Sequence, residues 1–354
     1  MDFPFFNGQQ KRLDHIVVLD LGGRTTKAVH LQRRGDRFDF VNFALQDAPI
    51  AEKGASVNLL AEHLRNVTHA LGARTKRVIL TLGVNESLLR HAELPLVPLN
   101  DMRMMVKFNS KNYLQQDLTD HAFDCYILPP KGGAKPVEPT KANPKCRVLV
   151  GGAKANVVND LQNAARLAGL TAEQVVPSLV GPVNAFELAQ PEAFQKEVVA
   201  LVDIGFKNTS ISIVQQGDLA LSRVVQIGGD RLTQGLAEAM KISYAEAESI
   251  KVGIPDEVQP MLQRLVMPLG RELRASIDFF EHQHDKTVTS VFVSGGSARS
   301  PFIVQTLQEE LMVPCKTWNP TGFLNATLPP QQMGEIEQVA PQLTVAIGAA
   351  AGAF

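Results

Sequence analysis

The chain has 354 residues, 45% of them hydrophobic and 20% charged, which leaves room for two domains with cores of their own. A formal net charge of -1 argues against DNA or another nucleic acid as partner. Three scattered cysteines without a CxxC (Cys125, Cys146, Cys315) exclude a disulfide framework or a cysteine metal site and read as reduced cytoplasmic thiols.

No apolar run reaches the ~18 residues of a membrane span, so no direct membrane insertion is expected. Met1–Asp14 carries Phe3, Phe5 and Phe6 but no signal-peptide core. Residues 15–50 read as three strands joined by short turns. Val57, Leu60, Leu64, Val67 and Leu71 then recur at helical spacing, with Ser56 as N-cap and Gly72 as the stop. A strand starts at Arg77–Leu82, and a small α+β segment follows to about residue 170. It holds a helix over Leu99–Leu114 and a strand over Phe123–Leu128. The Pro- and Lys-rich stretch 129–145 reads as a mobile basic loop closing a hairpin onto Arg147–Val150. Gly151-Gly152 reads as a turn, and Ala155–Ala168 as a helix stopped at Gly169.

From Glu197 to Ile227 the opening pattern returns, and Gly228-Gly229-Asp230 opens a helix carrying Leu232 and Leu236. Residues 235–285 are largely helical. The apolar strand Val288–Val293 runs into Ser294-Gly295-Gly296-Ser297-Ala298-Arg299, and Pro301 starts another helix. A strand–Gly-Gly–helix turn lets backbone approach a flat or anionic ligand beside a helix N-terminus.

The two halves share one loop design. His15–Asp20-Leu-Gly-Gly-Arg-Thr-Thr26 and Val198–Asp203-Ile-Gly-Phe-Lys-Asn-Thr209 each give an apolar run, Asp-Xaa-Gly, a short loop and a Thr six positions after the Asp. Each then meets a Gly-Asp turn, at Gly35-Asp36 and Gly217-Asp218. A carboxylate at the mouth of a sheet reaches a magnesium ion directly or through water. Gly22 and Gly205 permit a tight turn whose N–H groups point at phosphate. The hydroxyls of Thr25, Thr26 and Thr209 are short donors that can complete the cradle. Arg24 and Lys207 stand where a cation can pair with phosphate, although singly each reads as a solvated loop charge. One such loop alone is as readily an ordinary hairpin turn; two with matched spacing argue against that. There is no GxxxxGK[ST] and no dinucleotide GxGxxG, and the eight histidines lack metal-ligand spacing, with His282 and His284 at a helix surface.

Taken in order, the three loops resemble the actin-like ATPase superfamily. The first phosphate motif matches Asp20–Lys27, the second Asp203–Thr209, and the adenosine motif Gly295-Gly296-Ser-Ala-Arg299. Within that group the chain most resembles the PilM family of type IV pilus assembly proteins, and next FtsA. The likeness rests on the insertion in the first half, on Leu94-Pro95 through Asp124-Cys-Tyr126, and on Trp318-Asn319-Pro320 before a closing helix Leu343–Gly352. FtsA would add a membrane-targeting amphipathic helix, and the end at Ala353-Phe354 reads as lacking one.

The resemblance implies an α/β actin-like ATPase fold: two RNase H-like domains flanking a nucleotide cleft, with a small α+β insertion in the first. The first domain would span 1–76 and 171–196 and be closed by helix 341–354. The insertion would span 77–170, and the second domain 197–340 with a helical subdomain at 235–285. It further implies ATP with Mg2+, held by Asp20, Gly22, Gly23, Thr25, Thr26, Lys27, Asp203, Gly205, Lys207, Thr209, Gly228, Gly229, Gly295, Gly296 and Arg299. Asp20 and Asp203 would face the metal. The implied partner is the cytoplasmic peptide of PilN, an inner-membrane pilus protein, bound where the first subdomain meets the inserted one, with other pilus components beyond it. That places the chain in the cytoplasm, recruited to the inner membrane through partners. One departure bears on turnover. ATP-hydrolysing relatives carry an acidic or amide side chain where this chain has Ser178, so binding is expected rather than efficient hydrolysis, and no catalytic residue is assigned. The alternatives are a small-molecule kinase, for which no base outside the phosphate loops is evident, and an FtsA-like filament former.

Overall fold

The computed structural model describes residues 14–35, 37–49, 55–129, 144–253 and 256–353. The first half opens with β1 (His15–Leu21), β2 (Thr25–Arg34), β3 (Arg37–Asp47), α1 (Val57–Leu71) and β4 (Arg77–Leu82). Then come β5 (Ser87–Pro95), α2 (Leu99–Phe108), α3 (Ser110–Leu114), β6 (His121–Ile127), β7 (Lys145–Lys154), α4 (Ala155–Leu167), β8 (Thr171–Pro177), α5 (Gly181–Ala189) and α6 (Pro191–Lys196). The second half runs through β9 (Val198–Ile204), β10 (Thr209–Gln215), β11 (Asp218–Val225), α7 (Gly229–Met240), α8 (Tyr244–Gly253) and α9 (Gln259–His284). It ends with β12 (Ser290–Ser294), α10 (Pro301–Leu311), β13 (Cys315–Thr317), β14 (Asn325–Ala326), α11 (Pro330–Val339) and α12 (Thr344–Ala351).

The duplication seen in the loops extends to the sheets. One sheet has the order β14-β3-β2-β1-β4-β8 and the other β11-β10-β9-β12-β13. In both, three antiparallel strands are extended by a parallel strand beside the first, β4 on β1 and β12 on β9. The two Asp-Xaa-Gly segments therefore leave equivalent central strands at equivalent ends. Strands β5, β7 and β6 form a separate antiparallel sheet, on which α2 packs.

Local chemistry sets the boundaries. Ser56 Oγ accepts the Leu59 N–H at the start of α1, and Gly72 ends it in the left-handed region at φ 68°. Leu64, Val67 and Leu71 bury that helix against β2, β3 and α4. A second core lies under the β9–β12 strands and is filled by α7, α9 and α10. Between the two sheets run α5 and α12. Their Phe186 and Ile347 share one core with Ile16 and Val18 of the first sheet and Leu201 and Phe292 of the second. Phe186 meets Phe292 and Trp318 edge-on, at 4.6 and 5.2 Å between ring centroids.

Two expectations need correction. The helix expected over Leu99–Leu114 breaks at Asn109, whose φ of -132° separates α2 from α3. Gly151-Gly152 is not a turn but the middle of β7, paired with Leu89 and Leu88 on one side and Asp124 and Phe123 on the other. The reason is steric: a Cβ on Gly152 would stand 2.9 Å from the Phe123 ring. Most of the 129–145 stretch, and Asp36 of the first Gly-Asp turn, lie outside the described residues. His282 and His284 do end a helix, α9, where His284 stacks on Phe280.

Candidate functional site

The ends of β1 and β9 open into a cleft of about 1090 Å³ between the two halves. Asp20 and Asp203 sit at corresponding places in their strands, but the residues paired beside them differ. Asp20 faces Lys27 across the β1–β2 ladder, whereas Asp203 faces Ser210 across β9–β10. Asp20 Oδ1 accepts from Thr81 Oγ1 at 2.7 Å, and among the described residues its Oδ2 has only the ion pair with Lys27 Nζ, 3.0 Å away. Asp203 Oδ1 accepts from Ser294 Oγ at 2.8 Å.

The charges form one coupled group. Burial works to lower the Lys27 pKa, but the charge and hydrogen bond of Asp20 and the charge of Asp203 outweigh it, so the ammonium is held above its ordinary value. Burial raises the Asp203 carboxyl, opposed by the Ser294 hydrogen bond and the Lys27 charge and reinforced by Asp20. A cation thus stands close to carboxylates from both halves, at the base of the cleft.

Most of the residues expected in the site come together there. Asp20, Gly22, Gly23, Thr25, Lys27, Asp203, Gly205, Lys207, Gly229, Gly295, Gly296 and Arg299 all line the cleft. Thr26, Thr209 and Gly228 do not. Side chains alternate along a strand, so with Thr25 and Lys27 facing the cleft Thr26 turns away, its Oγ1 2.7 Å from His63 Nε2 in the interior. Thr209 is fully buried and donates to the Ile227 carbonyl at 2.7 Å. Gly228 lets the start of α7 pass the second loop, where a Cβ would lie 2.6 Å from Lys207 C. Lys207 reaches Asp230 Oδ2 at 2.6 Å, and Arg24 reaches Glu248 at 3.2 Å, so both loop cations are paired while still exposed to solvent.

The Gly-Gly turn divides its work. Gly295 adopts φ 90°, a region reserved for glycine, and a Cβ there would stand 2.7 Å from Ile204 C. Gly296 has nothing within 4 Å of its Cβ position, on the cleft lining. Its bareness leaves room for a ligand.

Sequence reasoning missed the wall supplied by α8. Lys251 is buried and donates to Glu248 Oε2 at 2.7 Å, to Thr233 Oγ1 at 2.8 Å and to the Gly229 carbonyl at 3.3 Å. Burial lowers its pKa, with Glu248 opposing that shift. Both line the cleft. The available signal was Glu248 and Lys251 at i,i+3 on one helix, a spacing that also describes a solvated face. Ser178, in a 3₁₀ turn over Ser178–Val180, lines the same cleft with its Oγ buried and unpaired among the described residues.

Two sheets of one strand order, joined at a central helix pair with a charged cleft above, define the actin-like ATPase fold. Residues 18–354 match the family model described as Type IV pilus assembly protein PilM, and the chain belongs to that family. Among solved structures it resembles the PilM-PilN type IV pilus biogenesis complex, at TM-score 0.81 and 21% identity over 96% of this chain and 98% of that one. The ethanolamine utilization protein EutJ of Carboxydothermus hydrogenoformans aligns at TM-score 0.52 and 16% identity, covering 97% and 91% of the two chains. MreB5 of Spiroplasma citri bound to ADP aligns at 0.51 and 11%, covering 95% of each. Among curated proteins, FtsA of Bacillus subtilis is 29% identical over 103 residues, 29% of this chain and 22% of that protein. EutJ of Escherichia coli is 27% identical over 122 residues, 34% of this chain and 42% of the relative. The matched parts of these two relatives are thus less than half of their length. Among the described residues no helix is long and apolar enough to cross a membrane.

Proposed function

We propose that this chain is an ATP-binding cytoplasmic adaptor of type IV pilus assembly, which docks the cytoplasmic tail of a PilN-like inner-membrane protein. The observation that carries the nucleotide half is the meeting of Asp20, Lys27 and Asp203 from duplicated loops in one cleft. The partner half is supported by membership of the PilM family and by the fold shared with the PilM-PilN complex. MreB5, of the same fold, is described bound to ADP and to AMPPNP.

Magnesium fits the donor set. Among the described residues no three acidic, histidine or cysteine side chains cluster as an all-protein metal cage. Mg2+ ordinarily keeps several waters and takes one or two carboxylates together with substrate phosphates. Asp20, whose Oδ2 has no partner but Lys27 among the described residues, and Asp203 supply that pair. The ion would neutralise the phosphate chain. Lys27 presents a fixed positive charge to the same chain, the backbone around Gly22 and Gly205 supplies N–H donors, and Gly295, Gly296 and Arg299 take the nucleoside end. Ser178 stands where a hydrolysing relative would hold an acid or amide, and a lone hydroxyl orients an attacking water poorly. The nucleotide therefore acts as a ligand that favours one arrangement of the halves.

The test is calorimetry with the N-terminal peptide of the PilN-like partner, with and without Mg-ATP. Tighter peptide binding with ATP, and tighter ATP binding with peptide by the same factor, is expected. Equal peptide affinity in both states would remove ATP as the switch, no binding in either would remove the partner, and brisk turnover by the chain alone would overturn the ligand-only role.

A further inference from the structure

We propose that Arg24 is a latch across the mouth of the cleft, holding the two halves together until an entering ligand takes its place. The proposal rests on the nucleotide reading for the identity of that ligand, but the latch itself is a property of the free protein.

Arg24 is the tip of the first loop, between β1 and β2, with its carbonyl fixed by the Ala48 N–H at 2.8 Å. Its side chain does not stay on its own half. The guanidinium crosses to α8 of the second half, where Nη1 is 3.2 Å from Glu248 Oε2. It also lies 5.6 Å from the centroid of Tyr244 and 5.9 Å from that of Phe206, the latter in the second loop. One side chain therefore joins the first loop to the second loop and to α8 at once. The loops are in contact beside it, since a Cβ on Gly23 would meet the Phe206 ring at 3.5 Å.

The receiving side is rigid. Glu248 is held by Lys251 and Thr233, and Tyr244 OH donates to Asp230 Oδ1 at 2.9 Å, which in turn is paired with Lys207. Every partner of Glu248 except Arg24 belongs to the second half. Opening the cleft would break the Arg24 contacts and leave the Lys251 and Thr233 contacts intact. Arg24, Lys251 and Thr233 all reach Glu248 Oε2, and of these three Arg24 is the one that comes from the other half and leaves when the cleft opens.

The sign of the effect separates this role from phosphate binding. If the cleft must unlatch before a ligand enters, apparent affinity is reduced by the fraction of molecules that are open. Removing the latch then raises affinity, whereas removing a phosphate ligand lowers it. A partly exposed ion pair with two partly exposed cation–π contacts sets the scale at about tenfold.

The experiment uses the whole chain with Cys146 and Cys315 replaced by serine and spin labels at Asn66→Cys on α1 and Glu238→Cys on α7. Without nucleotide, the unsubstituted latch should give a narrow, short distance distribution, Arg24→Ala a broad, longer one, and Arg24→Lys an intermediate one, since an ammonium keeps the charge without the planar stack. A fluorescent ATP analogue with magnesium should associate about tenfold faster with Arg24→Ala and bind tighter by a similar factor, with little change in its dissociation rate. Unchanged distances in Arg24→Ala, or weaker analogue binding by it, would overturn the latch. If the unsubstituted chain bound no analogue, the nucleotide reading would fail while the distance comparison still decided the latch.

Discussion

Replacing Gly348 with alanine should destabilise the protein even though alanine is the better helix former. Gly348 lies in α12 where that helix crosses α5, and a Cβ there would stand 2.7 Å from Gly181 Cα, against 3.4–4 Å for ordinary contact. The overlap is reciprocal, because a Cβ on Gly181 would stand 2.7 Å from Val345 Cα. Backbone meets backbone on both sides, so no rotamer change relieves it and the helices must separate. Overpacking of this kind costs about 1–3 kcal/mol, and the rigid neighbours place it at the upper end. Separation also strains the hydrogen bond from Asn184 Nδ2 to the Gly348 carbonyl, 3.2 Å and buried, which contributes about 1 kcal/mol. The intrinsic gain of alanine over glycine in a helix returns about 1 kcal/mol, leaving a net loss of about 3 kcal/mol. The matched control is Gly334 in α11, exposed and with nothing within 4 Å of its Cβ position. Gly334→Ala should stabilise by up to about 1 kcal/mol. Urea unfolding of both variants by circular dichroism, without nucleotide, provides the comparison. A Gly348→Ala protein as stable as the parent would refute the close crossing.

Asp20→Ala and Asp203→Ala should each fold and each lose most of the stabilisation given by Mg-ATP, about 2.7 kcal/mol at 100 times the dissociation constant in the parent; thermal melts with and without ligand decide it, and a normal ligand shift in either variant would withdraw its assigned role. Gly296→Val should leave the melting temperature of the free protein nearly unchanged, because its Cβ enters open space, and should abolish nucleotide binding measured by calorimetry; retained affinity would place the nucleoside elsewhere. Burial holds His30 and His63 below their ordinary value of 6.5, the neighbouring His15 adding to the effect at His30. Neither ring contributes well above that pH; as pH falls through the unfolded value the unfolded chain takes protons the folded rings refuse, so stability drops, and a His30→Gln, His63→Gln variant should lose less between about pH 7.5 and about pH 5.5. An equal loss in parent and variant would assign the acid sensitivity to other groups.

The residues that line the candidate site are legible in the sequence where their geometry is local, and the fold is legible where a pattern repeats. Asp20, Gly22, Asp203, Gly205 and the Gly295-Gly296 turn were legible because tight turns at strand ends demand those residue types at fixed spacing. Thr26 and Thr209 had the same spacing but not the same orientation, since strand alternation and the first position of β10 send their hydroxyls inward. The α8 wall was illegible for a different reason. Lys251 becomes buried beside Glu248 because Gly229 and Thr233 of α7 take its other hydrogen bonds, and those contacts are made between helices rather than along one. Likewise the Gly151-Gly152 pair has the composition of a turn, and only Phe123 from β6, which fills the space that the missing Gly152 side chain leaves, explains its place in a strand.

The packing also indicates how a ligand in the cleft is felt elsewhere. The Gly295 N–H donates to the Pro341 carbonyl at 2.8 Å, tying the Gly295-Gly296 turn to the segment that leads into α12. Through its crossing with α5, α12 is locked to the short turn at Ser178–Val180, and Leu179 of that turn shares a core with Leu89 of β5 and Leu149 of β7. The links are a backbone hydrogen bond, a close helix crossing and a buried core, and close-packed interiors transmit displacement rather than absorb it. The loops at the charged end are coupled differently, by the Lys27 charge and by Arg24, whose partly exposed ion pair with Glu248 can exchange partners. A ligand spanning both ends would therefore act on one exchangeable contact and one rigid chain of contacts. That combination permits a discrete change between two arrangements, and the chain of contacts ends at the three-stranded sheet of the inserted segment.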